Sequence, residues 1–473
     1  MGSIRRLATL LLACLPLAGA PAAWGADADF IQHAEKRIAL THARLIDGTG
    51  APARDDVTVL IEDGRIKAVG PSATVKLPDD TTVIEARGRT LLPGFVLMHE
   101  HMFYPTGQRN YTEMLYSFPR LYLAGGTTTL RTAGTMSPYA DLNLRAEIAS
   151  GAVPGPDMDV TAPYLNGPGL PILKVNPLGG PDDAERMVSY WADEGVTSYK
   201  AYMHIRRDEL RRIIQVAHAR GHKVTAHLCS VTHREAAEMG IDNLEHGFAV
   251  ATDFVPGKQP DVCPSPMATL KSIAELDLGS EAVKSLIRTL VERKVALTST
   301  LTVFETFAPG RPKAPEEALA TLIPQVRAQY ERQWERISRQ EDRTWAVAFE
   351  KAMRLERMFV AAGGHLMAGT DPTGYGGVIA GFSSKRAVEL LVEAGFSVEE
   401  AVRIATLNGA RYLGRDREVG SIEPGKRADI LVVEGDPTRR IQDIRAMPLV
   451  FKAGVGYRTA AIVGAVRETV GLH

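Results

Sequence analysis

The chain has 473 residues, 45% of them apolar and 23% charged, with a formal net charge of -1. That length exceeds one simple hydrophobic core, so a large domain plus a smaller one is expected. The near-neutral balance gives no electrostatic reason to expect nucleic acid or an anionic membrane surface as partner.

Residues 1–25 read as an export signal. Arg5 and Arg6 precede the apolar run Leu7 to Leu17, the small-residue stretch Ala18 to Ala26 follows, and cleavage is expected after Gly25. The run is too short, and Pro16 too central, for a membrane span. Cys14 admits lipoprotein anchoring as the weaker alternative, because the apolar run continues past it. The mature chain is therefore expected to be soluble and exported, periplasmic or secreted. It keeps Cys229 and Cys263, too few for a disulfide framework, although an exported chain can form one bridge between them. Cys229 is read foremost as a small buried side chain near a polar site.

Residues 26–92 read as short strands. Val57 to Ile61 alternates in polarity, Glu62-Asp63-Gly64-Arg65 turns as a hairpin, and Ile66 to Val69 resumes the pattern; Thr82 to Ala86 is a further strand. The segment 414–473 looks alike, with Ala428 to Val433 and Leu449 to Gly454 as strand candidates. Both ends are expected to form one small β-sandwich domain, with the long middle inserted.

Over residues 93–413 the rhythm changes. A helical stretch ends at a glycine, a short strand follows, and a polar residue closes it. Asp182 to Glu194, Gly195 and Val196 to Tyr199 lead to Lys200. Asp208 to Arg220, Gly221 and His222 to Ala226 lead to His227. Thr232 to Met239, Gly240 and Ile241 to Glu245 lead to His246. Lys351 to Ala362, Gly363-Gly364 and His365 to Thr370 lead to Asp371. Each polar residue falls roughly five to seven positions after its glycine, about one strand length. Further strands are expected at Thr127 to Leu130, Asp159 to Ala162 and Val295 to Thr298. Alternating strands and helices over about 320 residues suit a (β/α)8 barrel, whose strand ends meet at one mouth. The charged stretch Ala314 to Arg343 is read as solvated peripheral helices.

The remaining strand carries Leu97-Met98-His99-Glu100-His101. Alternation puts His99 and His101 on one face and Glu100 on the other, so Glu100 is excluded as a ligand. At a shared barrel mouth His99, His101, Lys200, His227, His246 and Asp371 would converge. Imidazole and carboxylate suit zinc and similar divalent ions. Lysine would ligate only if neutral and carboxylated by carbon dioxide. His218, His222 and His365 are read as structural. Arg131, Tyr202 and His204, at or just past strand ends, are candidates to grip a substrate carboxylate.

Several stretches together are similar to the amidohydrolase superfamily, within it the prolidase-like and imidazolonepropionase-like branch. They are Ala43 to Gly50, Ala124 to Thr129, Glu245-His246-Gly247, Gly369-Thr370-Asp371, Ala405 to Ala410 and Gly420 to Asp429. The resemblance implies a binuclear centre of two divalent ions, zinc foremost. His99, His101 and Asp371 would hold one; a carbamate on Lys200 would bridge to a second held by His227 and His246. A hydroxide between the metals would attack, and Asp371 would move its proton to the leaving amine. The chain departs from its relatives at Leu97, at Arg131-Thr132-Ala133 and at Leu228-Cys229, which weakens transfer of specificity. The expected substrate is a dipeptide, Xaa-Pro included, or an N-acyl amino acid. A cyclic amide, a lactone or ester, and a metal-binding scaffold without turnover are the alternatives. Relatives of this kind often form homo-oligomers.

Overall fold

The computed structural model describes residues 26–107, 110–170, 172 and 174–472. The expected export signal and Cys14 lie outside the described residues.

Eight short parallel strands form the centre: β1 (Phe95–Glu100), β2 (Thr127–Thr132), β3 (Asp157–Asp159), β4 (Ser198–Ala201), β5 (Lys223–Ala226), β6 (Asn243–Glu245), β7 (Ala296–Ser299) and β8 (Leu366–Ala368). β1 to β3 pair in one ladder and β4 to β8 in another. A parallel bridge from Thr161 to Ser198 joins the ladders on one side. On the other side the N–H groups of Thr370 and Asp371 both donate to the carbonyl oxygen of His99, at 3.1 and 3.0 Å. The ring thus closes at the residues that follow β8. Gly369 permits this approach, since a Cβ there would stand 2.4 Å from the Cβ of His99.

Most strand residues are buried, polar ones included, because helices cover the outside and side chains fill the inside. Helix Arg207–Ala219 shows the pattern: Leu210, Ile213, Ile214 and Ala217 fall on one stripe and are buried. Each such leucine or isoleucine contributes roughly 1.5–3 kcal/mol by leaving water. Helix His233–Met239 begins with a capping box between Thr232 and Glu235 and ends at Gly240, whose φ of 92° suits only a residue without a Cβ. The glycine-strand-ligand rhythm is thus a helix stop followed by a barrel strand. The fourth helix of that rhythm starts earlier than its expected Lys351, spanning Thr344–Ala361.

Strands from both chain ends form one continuous nine-stranded sheet. The ends are joined where Arg89–Pro93 runs antiparallel to Ile430–Glu434, with Leu91 opposite Val432. Ile38, Leu40, Val59, Ile61, Ile430 and Phe451 belong to this sheet's own apolar cluster. The expected hairpin is present, with positive φ at Asp63 and Gly64. Asp157 at the start of β3 fixes this sheet to the barrel, accepting Arg427 at 2.5 Å, Lys452 at 2.9 Å and Arg415 at 3.0 Å.

Two expectations need correction. The stretch 314–343 is not simply solvated: helix Pro324–Ser338 buries Val326, Tyr330 and Ile337. Val326 and Tyr330 join the main hydrophobic core, while most of the helix's charged residues stay outside. Nor does the segment 414–473 belong wholly to the sheet. After the last strand, helix Thr459–Ala465 leads to Val470, which bridges to Leu322 beside the barrel. Among the described residues no helix is long and apolar enough to cross a membrane.

Candidate metal centre

The six side chains expected to converge do so. His99, His101, Lys200, His227, His246 and Asp371 all line one cavity of about 210 Å³ at the carboxyl ends of the strands. Nε2 of His101 lies 3.3 Å from Oδ1 of Asp371, and Nε2 of His99 lies 3.7 Å from Oδ2. The His227 and His246 rings meet edge to face, their centroids 4.3 Å apart. Nζ of Lys200 is 3.2 Å from Nε2 of His99. Donor atoms of His99, His246 and Asp371 all fall within 4.8 Å of one another, a triad that draws one histidine from each expected pair.

The outer nitrogens of three histidines are tied down. Nδ1 of His99 meets Oε2 of Glu245 at 2.7 Å, that of His101 meets the Gly134 carbonyl at 3.1 Å, and that of His246 meets Oγ1 of Thr300 at 2.7 Å. Such partners fix the ring and leave Nε2 for a metal. Nε2 of His246 is buried without any partner, a costly state for a polar atom unless something binds it. His246 and Asp371 both hold positive φ, 69° and 52°, an unfavourable conformation for such residues that clusters at functional sites.

Electrostatics favour the ligating protonation states. Burial holds His227 down to about 3 and His101 down to about 4, so the imidazoles are neutral at physiological pH. Burial likewise lowers Lys200 to about 8, against the pull of Glu245 and Asp371, which brings its neutral amine within reach. The Asp371 carboxyl stands well below its ordinary range because His99, His101 and His246 outweigh the cost of burial. Two or more neutral imidazoles, a carboxylate and an orphaned Nε2 in one enclosed space suit a divalent cation.

The substrate-gripping candidates separate. Tyr202 lines the cavity; Arg131 and His204 are not among its lining residues. Arg131 is wholly buried, and its Nη2 donates to Oε1 of Glu245 and to the Met98 carbonyl, each at 2.5 Å. His204 instead meets the Pro168 carbonyl at 3.2 Å. Glu100 points away, accepting the N–H of Thr370 at 2.9 Å. His218 pairs with Asp242, His222 with Tyr199, and His365 with the Asn408 carbonyl.

Sequence reasoning missed two features and left a third open. Glu245 stood in view beside His246, yet only the histidine was singled out. The apolar walls, including Phe103, Tyr164, Phe304 and Phe307, come from segments that follow the barrel strands, whose direction no periodicity encodes. The bridge that the sequence left open is formed: Cys229, buried as expected, is bonded to Cys263, their Cα atoms 4.8 Å apart.

Residues 333–464 match the amidohydrolase family model. Over that stretch the chain is similar to the amidohydrolase family. Among curated relatives, the dihydroorotase of Mycobacterium tuberculosis is 38% identical over 85 residues, 18% of this chain and 19% of the relative. The imidazolonepropionase of Picrophilus torridus is 47% identical over 45 residues, 10% of this chain and 11% of the relative. The chain therefore spans only a small part of the length of these relatives. Among solved structures, a Xaa-Pro dipeptidase with methionine in its active site superposes with a TM-score of 0.67 at 19% identity, over 89% of this chain and 100% of that one. The ochratoxinase of A. niger gives 0.63 at 18% identity, over 92% and 99%. These likenesses carry the barrel fold alone.

Proposed function

We propose that the protein is an exported, metal-dependent amidohydrolase that cleaves the amide bond of a dipeptide or an N-acyl amino acid. The observation that carries this reading is the six-residue cluster around one cavity, with Nε2 of His246 left without a partner among the described residues. His99, His101 and Asp371 would hold one divalent cation, and His227 and His246 a second. Lys200, whose burial favours the neutral amine, would contribute as a carbamate. Divalent cations held there lower the pKa of water and polarise a carbonyl oxygen.

The chain's own residues supply the rest. The Asp371 carboxylate takes a proton from attacking water and returns it to the departing nitrogen. Phe304 and Phe307 on one side, with Phe103 and Tyr164 on the other, exclude bulk water and hold the apolar flanks of the amide. The hydroxyl of Tyr202, beside the His227 ring at 5.2 Å between centroids, is the remaining candidate to orient a substrate's polar end. Export is supported by the amino-terminal signal pattern and by the Cys229–Cys263 bridge. The strands of both ends, with an apolar core of their own, are read as the small sandwich domain.

A cyclic amide is the second reading, favoured by the local matches to dihydroorotase and imidazolonepropionase. Purified protein should contain about two divalent ions per chain. Free amino acid should appear from a panel of dipeptides and N-acyl amino acids. Turnover confined to cyclic amides selects the second reading; bound metal without turnover across the panel rejects both and leaves a scaffold.

A further inference from the structure

A second cavity, of about 340 Å³, lies beside the metal cavity and shares two walls with it. Around helix Leu301–Glu305, Val303, Phe304 and Phe307 line the first cavity, while Thr302, Glu305 and Thr306 line the second. After Asp371, Thr373 and Gly374 line the first and Tyr375 lines the second. Its volume falls within the range of small-molecule sites. One side is apolar, made by Trp334, Ile337, Val378, Ile379 and Phe382.

The opposite side carries charge, and most of it is already committed. Arg311 pairs with Glu305 and Glu393, Arg386 with Glu305, Glu389 and Glu393, and Arg445 with Glu389. Lys313 pairs with Glu331. Lys385 is different. Its ammonium has three donors, and they meet the carbonyl oxygen of Arg445 at 3.2 Å and no carboxylate among the described residues. Ser383, 6% exposed, also lines this cavity, and its hydroxyl is buried without a partner. Both residues sit in the first turn of helix Phe382–Glu393, at the positive end of its dipole. Burial lowers Lys385 to about 8, against the pull of Glu317 and Glu389, which also line the cavity.

We propose that this cavity binds a small monocarboxylate with an aromatic or aliphatic body, its carboxylate held by Lys385 and Ser383 and its body by Trp334 and Phe382. A carboxylate there forms a charge-assisted hydrogen bond with the ammonium and satisfies the orphaned hydroxyl. The apolar wall selects the body, so a bare anion such as acetate should bind poorly. Because Thr302 both lines this cavity and donates to the Thr370 carbonyl at 2.6 Å, an occupant rests against the turn that carries Asp371.

The test uses phenylacetate and octanoate as probes in calorimetric titrations of the full chain, with phenylacetamide as the uncharged control. One site per chain should saturate, with phenylacetamide and Lys385→Met each weakening binding roughly tenfold or more. Lys385→Arg should retain most of the affinity, and His246→Ala, altered in the metal cavity, should bind as well as the parent. Absence of saturable binding overturns the proposal. So does equal affinity for phenylacetamide, or loss in His246→Ala without loss in Lys385→Met, which places the anion at the metal centre. Should Lys385→Met not fold, Ser383→Ala and the amide control decide: unchanged binding in the first together with equal amide affinity rejects the site.

Discussion

Nδ1 of His99 lies 2.7 Å from Oε2 of Glu245, although 146 residues separate them in the chain. The other carboxylate oxygen takes Arg131 and Asn243, at 2.5 and 3.1 Å, and the hydroxyl of Thr225. Burial opposes the charge, but Arg131 and His99 outweigh it, and the Glu245 carboxyl stands well below its usual range. An ionised Glu245 makes Nδ1 of His99 the donor and leaves Nε2 as the electron pair facing the cavity.

Glu245→Gln should therefore weaken divalent-ion binding by roughly 10–100-fold, with activity lost in proportion. A chelator-competition titration at fixed pH measures this. Unchanged affinity would show that the His99 tautomer is set by something else. Arg131→Met should act in the same direction and also lower stability, because it strands a buried carboxylate.

Lys200→Ala should remove the bridging group and most of the activity, while the parent should lose activity in buffers stripped of carbon dioxide and regain it with bicarbonate. Metal content by elemental analysis separates the causes. A Lys200→Ala protein that kept two metals and full turnover would be falsifying for the carbamate.

The Cys229–Cys263 bridge closes a separation of 34 residues and anchors the chain two positions past His227. Removing such a constraint costs roughly 3–4 kcal/mol. Cys263→Ser should lower Tm by several degrees, and dithiothreitol should do the same to the parent and nothing further to the variant. Equal melting of oxidised and reduced parent protein contradicts this.

Glu356 is buried, with Oε2 accepting the Ser299 hydroxyl at 2.8 Å, and burial raises its carboxyl from 4.5 to about 8. The folded chain thus holds a proton that the unfolded chain has released. Its contribution to stability is complete below about pH 4.5 and declines as pH rises to about 8, where the folded carboxyl too must ionise. Glu356→Gln should flatten that part of the Tm profile. Superimposable profiles for the two proteins would refute the assignment.

Much of this architecture was legible because helix stops and strand ends recur at regular spacing. Gly240 ends a helix, β6 follows, and His246 closes it; that order fixes a fold and a ligand together. Alternation alone separated His99 from Glu100, and both point as expected. Arg131 illustrates the limit. A strand-end arginine looks the same in sequence whether it faces a substrate or an internal carboxylate, and only the position of β6 across the ring decides. The pairing of Cys229 with Cys263 depends on where a long loop returns, which local chemistry does not encode.

The double hydrogen bond from Thr370 and Asp371 to the His99 carbonyl joins the last barrel strand to the first. The ligands on those two strands can meet only after nearly the whole barrel has been built between them, so no early fragment of the chain offers an intact chelate. Ion uptake then reports completion of folding, and a chain threaded unfolded through a membrane would collect its ions from the compartment where it arrives, not from the one where it was made.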